Sequence, residues 1–190
     1  MSVKSAGCLM RLARLRRLRP FRRFVRQEEG TAAVEFGLVF APFLAMMFAI
    51  LETAIVFFAS QTLETAVGDS SRLIMTGQAQ AQAFDKVKFK TAVCDRIYGL
   101  FECEKIKIDV RSYSAFSAAD MTPPLDNGSI SANLSYDPGG PGQIVVVRVM
   151  YEWPIYLSFL SADITFDLSN MSGSRRLLMA TTAFQNEPYL

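Results

Sequence analysis

The sixteen residues from Phe36 to Leu51, FGLVFAPFLAMMFAIL, carry no charge. Glu52 interrupts, and TAIVFFA then continues to Ala59. Phe36 to Ala59 is 24 residues. At about 1.5 Å per residue, a helix of that length crosses a hydrocarbon core of roughly 30 Å with some tilt. A core helix of a soluble protein would show a polar face over such a distance. A secretory signal has a shorter apolar region, about 7–15 residues, followed by a small-residue cleavage site. This run is longer and no good Ala-x-Ala site follows it. The sequence therefore predicts a transmembrane helix over residues 31–60.

Charge sets the orientation. Residues 1–26 hold nine of the twenty Lys and Arg and no acid, whereas residues 31–190 hold eleven basic and sixteen acidic residues, a net −5. A basic head can bind nucleic acid, bind anionic lipid or fix topology. Abutting an apolar run, it reads as a topological signal, which makes residues 1–30 a cytoplasmic leader and the body extracytoplasmic. Nucleic acid is not an expected partner.

Two carboxylates break the apolar pattern. Glu35 sits at its start, within GTAAVEF at residues 30–36. An acid there is either a solvated helix-start residue in the headgroup layer, favoured by the helix dipole, or a functional group. Glu52 lies deeper, where facing lipid is expensive, so it is expected to pair with a partner or face another helix. Pro42 is expected to loosen the helix one turn downstream.

Beyond Ser60 the pattern changes without a break. In QTLETAVGDSSRLIMTG, Leu63, Ala66, Val67, Leu73 and Ile74 recur at helical spacing, with Glu64, Asp69 and Arg72 elsewhere on the wheel. The helix is expected to continue as an amphipathic stalk over 61–76. Residues 83–99 give a weaker helix with Gly99 as its end signal. Lys105 to Tyr113 alternates Ile106, Ile108 and Val110 against Lys105, Lys107, Asp109 and Arg111, a half-buried strand. Residues 114–142, with PP, NG and PGGPG, read as a long loop. Residues 143–153 are the strongest strand, ended by Pro154. Residues 176–184 can close a sheet, and 164–168 is a short strand candidate. The predicted fold is α+β: a long N-terminal transmembrane helix continuing as a stalk, packed on a small antiparallel sheet in the residue 61–190 body.

Cys94 and Cys103 are nine apart, near a helix end and the strand after it. In an oxidising compartment they read as a disulfide; the alternative is two buried thiols. Cys8, in the leader, is expected to be free. The absence of His excludes imidazole bases and His ligands. There is no CxxC, and PGGPG lacks the Lys and Ser/Thr of a phosphate loop. Acids such as Asp163 and Asp167 are scattered. The sequence therefore predicts no enzyme, no cofactor and no metal. The cluster Tyr151, Trp153, Tyr156 and Phe159 reads as sheet core, with a partner-binding patch as the alternative.

RRFVRQEEGTAAVEF at 22–36, LET at 51–53, QTLETAVGDSSRLIMTGQ at 61–78 and FQNEPY at 184–189 together resemble the TadE-like family, minor pseudopilins of the tight-adherence (Flp-type) pilus system. The resemblance implies a pilin-like fold and cleavage by a prepilin peptidase between Gly30 and Thr31. Gly suits a peptidase that needs an unencumbered backbone beside the scissile bond. Glu35 then becomes the fifth residue of the mature chain, and with Glu52 it is implicated in subunit assembly. Thr31 replaces the Phe or Met of many type IV pilins, so N-methylation is not implied. The implied partners are the peptidase, other pilins and pseudopilins, and an inner-membrane assembly platform. The implied location is the inner membrane, single-pass, body periplasmic. An uncleaved single-pass scaffold or binding module is the alternative.

Overall fold

The computed structural model describes residues 31–97, 99–156 and 169–188. The leader, Gly30, Cys8, Phe159, Asp163, Asp167 and the 164–168 strand candidate lie outside these residues. The described chain opens with helix α1, Thr31–Met75. It divides into two units between Phe48 and Ala49.

Residues 31–48 are helix and bury no side chain. Val34, Phe36, Leu38 and Val39 are all exposed, Leu38 by 74%. Phe36 and Phe40, one turn apart, stack with ring centroids 5.0 Å apart. Pro42 is accommodated within the helix.

The second unit is an α+β body. From Ala49 to Met75, α1 buries Val56, Ala59, Leu63, Ala66, Val67, Ser70, Ser71 and Ile74. The three- and four-residue steps place these on one face, as the stalk expectation required. Gly77 turns the chain with φ of 75°, where a side chain would be strained. Short helix α2 is Gln78–Ala81 and α3 is Lys86–Cys94. Asp85 caps α3, its Oδ1 accepting from Lys88 N at 2.8 Å. The weak helix expected to reach Gly99 stops at Cys94 instead, with Asp95 as its C-cap. Gly99, at φ of 61°, serves a turn beyond the helix. The Cys94–Cys103 disulfide, with Cα atoms 5.8 Å apart, ties that helix end to a 3-10 turn at Cys103–Lys105.

The sheet has three antiparallel strands. Strand β1 is Lys107–Tyr113, β4 is Ile144–Pro154 and β5 is Arg175–Gln185, in the order β1-β4-β5. A two-residue hairpin, β2 (Leu125–Asp126) and β3 (Ser129–Ile130), is the regular part of the long 114–142 segment. Central β4 is buried almost throughout. Val145, Val147, Val149, Tyr151 and Trp153 share one face, alternate residues along the strand, and join α1 and α3 in the core. Phe101 meets Tyr151 edge-on at 5.0 Å and Trp153 at 5.8 Å.

The opposite face corrects the sequence reading. Alternation puts Asp109 on the polar side of β1, and it is there, yet it is fully buried. The long loop covers that face. Asp109 opposes Arg148 in the strand register. Its Oδ2 lies 3.3 Å from Arg148 Nη1 and 3.1 Å from Arg111 Nε, and its Oδ1 accepts from Ser135 N at 2.9 Å. Arg148 also donates to the Asp120 carbonyl in the loop. A buried ion pair survives only when its remaining polar atoms are matched, and the loop supplies most of those partners. Tyr156 departs from the expected aromatic core: it follows Pro154, leaves the sheet and is 67% exposed.

Candidate functional site

Chemistry done to or by this chain has to be sought along α1, where the unusual carboxylates lie. Thr31 and Glu35 are both exposed. They are four residues apart on a helix, so they share a face. Gly30, the other half of the expected cut site, is outside the described residues.

Glu52 is half-buried at a different kind of position. Its Oε1 accepts a hydrogen bond from Tyr156 N at 2.6 Å. That amide lies just past the end of β4. The carboxylate within the apolar stretch of α1 is thus engaged by the chain's own body. A charge-assisted bond of this length is among the stronger hydrogen bonds. The sequence pointed to Glu52 as an acid needing a partner. It had no signal for a backbone amide more than a hundred residues away.

Cys94 and Cys103 are bonded to each other, as spacing and compartment suggested. Cys103 is exposed and Cys94 half-buried. The bond joins the end of α3 to the approach to β1.

The C-terminal FQNEP, part of the motif that carried the resemblance, has a clear structural task. Asn186 is buried, and its Nδ2 donates to Pro138 O at 2.9 Å and Gly140 O at 3.0 Å. Glu187 N donates to the carbonyl of Met75, the last residue of α1, at 2.9 Å. Carbonyls at a helix end lack intrahelical partners, so this bond closes one of them. Gln80 Nε2 donates to Pro138 O at 3.0 Å from the other side. The PGGPG turn is thus pinned between α2 and the chain end. Sequence reading marked the turn residues but not Asn186 as their anchor.

Electrostatic perturbations in the body are few. Burial, helped by Asp85, pushes the Tyr136 phenol up to about 12. The Thr122 hydroxyl and amide hold the Asp120 carboxyl below its usual range. Among the described residues, no three Cys, Asp or Glu gather as a metal site.

The helix itself is the most telling element. Its most apolar eighteen residues average a hydropathy of 2.2, and none of that window is buried. Such a surface is unstable in water and suits lipid or other helices. The family model described as TadE-like protein matches residues 30–72, from Gly30 through the exposed and packed parts of α1. Over this segment the chain is similar to that family. Among the described residues one helix is long and apolar enough to cross a membrane, and the TadE-like match falls on it. No curated protein and no solved structure matches the chain.

Proposed function

We propose that this chain is a minor pseudopilin, a structural rather than catalytic protein, cut by a prepilin peptidase between Gly30 and Thr31. It then takes part in assembling or initiating a tight-adherence pilus. The observation that carries this reading is the TadE-like match over residues 30–72, which opens on the glycine expected at the cut. In this reading the 31–60 segment carries the membrane crossing, its exposed first part in the lipid and its end, where Val56 and Ala59 pack into the body core, at the periplasmic side with the disulfide-bonded body.

The chemistry falls on the first turn of the mature helix. Cleavage would leave an ammonium on Thr31, one turn from the Glu35 carboxylate. Glu35 pairs with that ammonium or with a neighbouring subunit's, inside an apolar helix bundle. Breaking such a buried pair by removing one partner costs about 3–5 kcal/mol, enough to fix subunit register. Glu52, on the same helix, contributes to assembly through its bond to Tyr156 N, which ties the body to that helix. The peptidase, the other pilins and pseudopilins, and an inner-membrane platform are the partners this role requires.

Intact mass of the membrane-extracted protein tests the cut. The expected product lacks residues 1–30, and a chain still starting at Met1 would sink the processing step. Gly30→Leu is expected to block cleavage. Glu35→Ala is expected to be cleaved normally yet fail in pilus assembly. Normal function in both variants would favour the uncleaved scaffold.

A further inference from the structure

Residues 61–190 are acidic overall, with fourteen acids against eleven bases, yet three lysines converge on one cleft. Lys86 and Lys90 lie one turn apart on α3, and Lys107 opens β1. The cleft holds about 560 Å³ and is also lined by Ile130 and Leu134 of the long loop. That size falls within the roughly 300–1,000 Å³ of ligand sites. Val87, beside the lysines, is 70% exposed. Cations and apolar surface therefore alternate along one wall.

The lysines lack carboxylate partners. Lys86 Nζ donates to the Leu134 carbonyl and Lys90 Nζ to the Glu104 carbonyl, both at 3.0 Å. Elsewhere in the body Lys105 pairs with Glu102, Arg111 and Arg148 with Asp109, and Arg175 with Glu152. Among the described residues no such pair forms in the cleft. Burial and then the charge of Lys107 lower the Lys90 pKa; Glu104 opposes this and Lys86 adds to it. An incoming carboxylate would relieve that repulsion.

We propose that this cleft docks a short acidic segment of a partner protein, its carboxylates on Lys90 and Lys107 and an apolar side chain against Val87 and Ile130. None of the lining residues belongs to α1, which disfavours a lipid headgroup as occupant. The negative body repels a long polyanion, whereas a short peptide presents its charges locally. The proposal stands apart from processing at Gly30 and survives or fails independently of it.

The test uses the full chain in phosphatidylcholine nanodiscs and a fluorescein-labelled peptide of alternating glutamate and valine, read by anisotropy. Saturable binding is expected, with Lys90→Glu and Lys107→Glu each weakening it by about tenfold or more, a change of roughly 1.4 kcal/mol. Lys107 Nζ donates no hydrogen bond among the described residues, so its variant should fold normally. Lys88→Glu makes the same charge change on α3 outside the cleft and is expected to leave binding within about twofold. A peptide with lysine in place of glutamate should not bind. Absence of peptide binding, an equal loss in Lys88→Glu, or lysine-dependent binding only to phosphatidylglycerol vesicles or an oligonucleotide would each overturn the proposal.

Discussion

Residues 31–48 and the body from Ala49 onward draw on the same apolar residue types and put them to opposite use. Leu38 is 74% exposed and Leu63 fully buried, on one continuous helix. In the body, one face of the helix is paired off against the sheet and α3, while Ile50, Ile55, Phe57 and Phe58 on its first turns stay exposed. In the first unit they are left for a solvent or partner outside the chain. Hydrophobicity alone therefore does not mark a core. What separates the two is the interleaving of polar residues: from Gln61 onward Glu64, Asp69 and Arg72 punctuate the helix. Residues 36–51 have no such punctuation.

The sharpest break between the regions is expected at the acids. Asp109 is buried against Arg148 and Arg111, so Asp109→Ala should destabilise the body by about 3–5 kcal/mol, because Arg148 is left uncompensated. Urea unfolding of detergent-solubilised protein, followed by circular dichroism, reads this as a lower midpoint. Glu35→Ala, on the exposed helix, should leave that midpoint in place. A stable Asp109→Ala variant would show that the loop, and not the ion pair, holds that face.

The leucines give the next contrast. Leu63→Ala opens a cavity under the sheet and should cost about 2–5 kcal/mol. Leu38→Ala removes more exposed surface and should stay within about 0.5 kcal/mol in the same assay. Equal losses at both sites would mean that the first unit has a core of its own.

Those two contrasts also explain what could be read without coordinates. Periodicity located α1, the stalk face, β1, β4 and β5 within a residue or two, because burial of one face imposes a repeat that composition reveals. Spacing and compartment located the Cys94–Cys103 bond. What escaped were contacts made by long-range closure. Asp109 followed the alternation, but nothing in IKIDVRSY tells that a loop returns over its polar face. Asn186 stood only within the FQNEPY motif, with no signal of burial, and is a buried anchor. Glu52 was visible as an anomaly, while its partner, the Tyr156 amide, was not, since a backbone group carries no sequence signal. Tyr156 itself failed the core expectation because Pro154 ends the strand and the next residues leave its alternation.

The disulfide should matter less than the core, and only to the body. It closes a loop between residues nine apart, so reduction should lower stability by about 2–3 kcal/mol on the chain-entropy account. Urea midpoints with and without reductant measure the loss. Alkylation without reductant should label neither Cys94 nor Cys103. Free thiols at these positions in membrane-extracted protein would remove the oxidising location assigned to the body.

The smallest effect belongs to Tyr136, where the body buries a phenol that the exposed helix has no counterpart for. Its hydroxyl has no hydrogen-bond partner among the described residues, and its ring lies 5.8 Å from Phe89. Burial, with Asp85 adding, raises its pKa from 10.0 to about 12. The folded state therefore holds the proton more tightly than the unfolded chain. Its contribution to stability is fully present below pH 10 and is lost as pH rises from there toward about 12. The ring is only half-buried, so solvent screens much of this difference and the slope should be shallow. Tyr136→Phe removes both the titration and the unpartnered hydroxyl. It should match or slightly exceed the parent's stability at neutral pH and flatten the decline above pH 10. An unchanged alkaline slope in that variant would assign the decline to other groups, and a destabilised variant at neutral pH would show that the hydroxyl has found a partner.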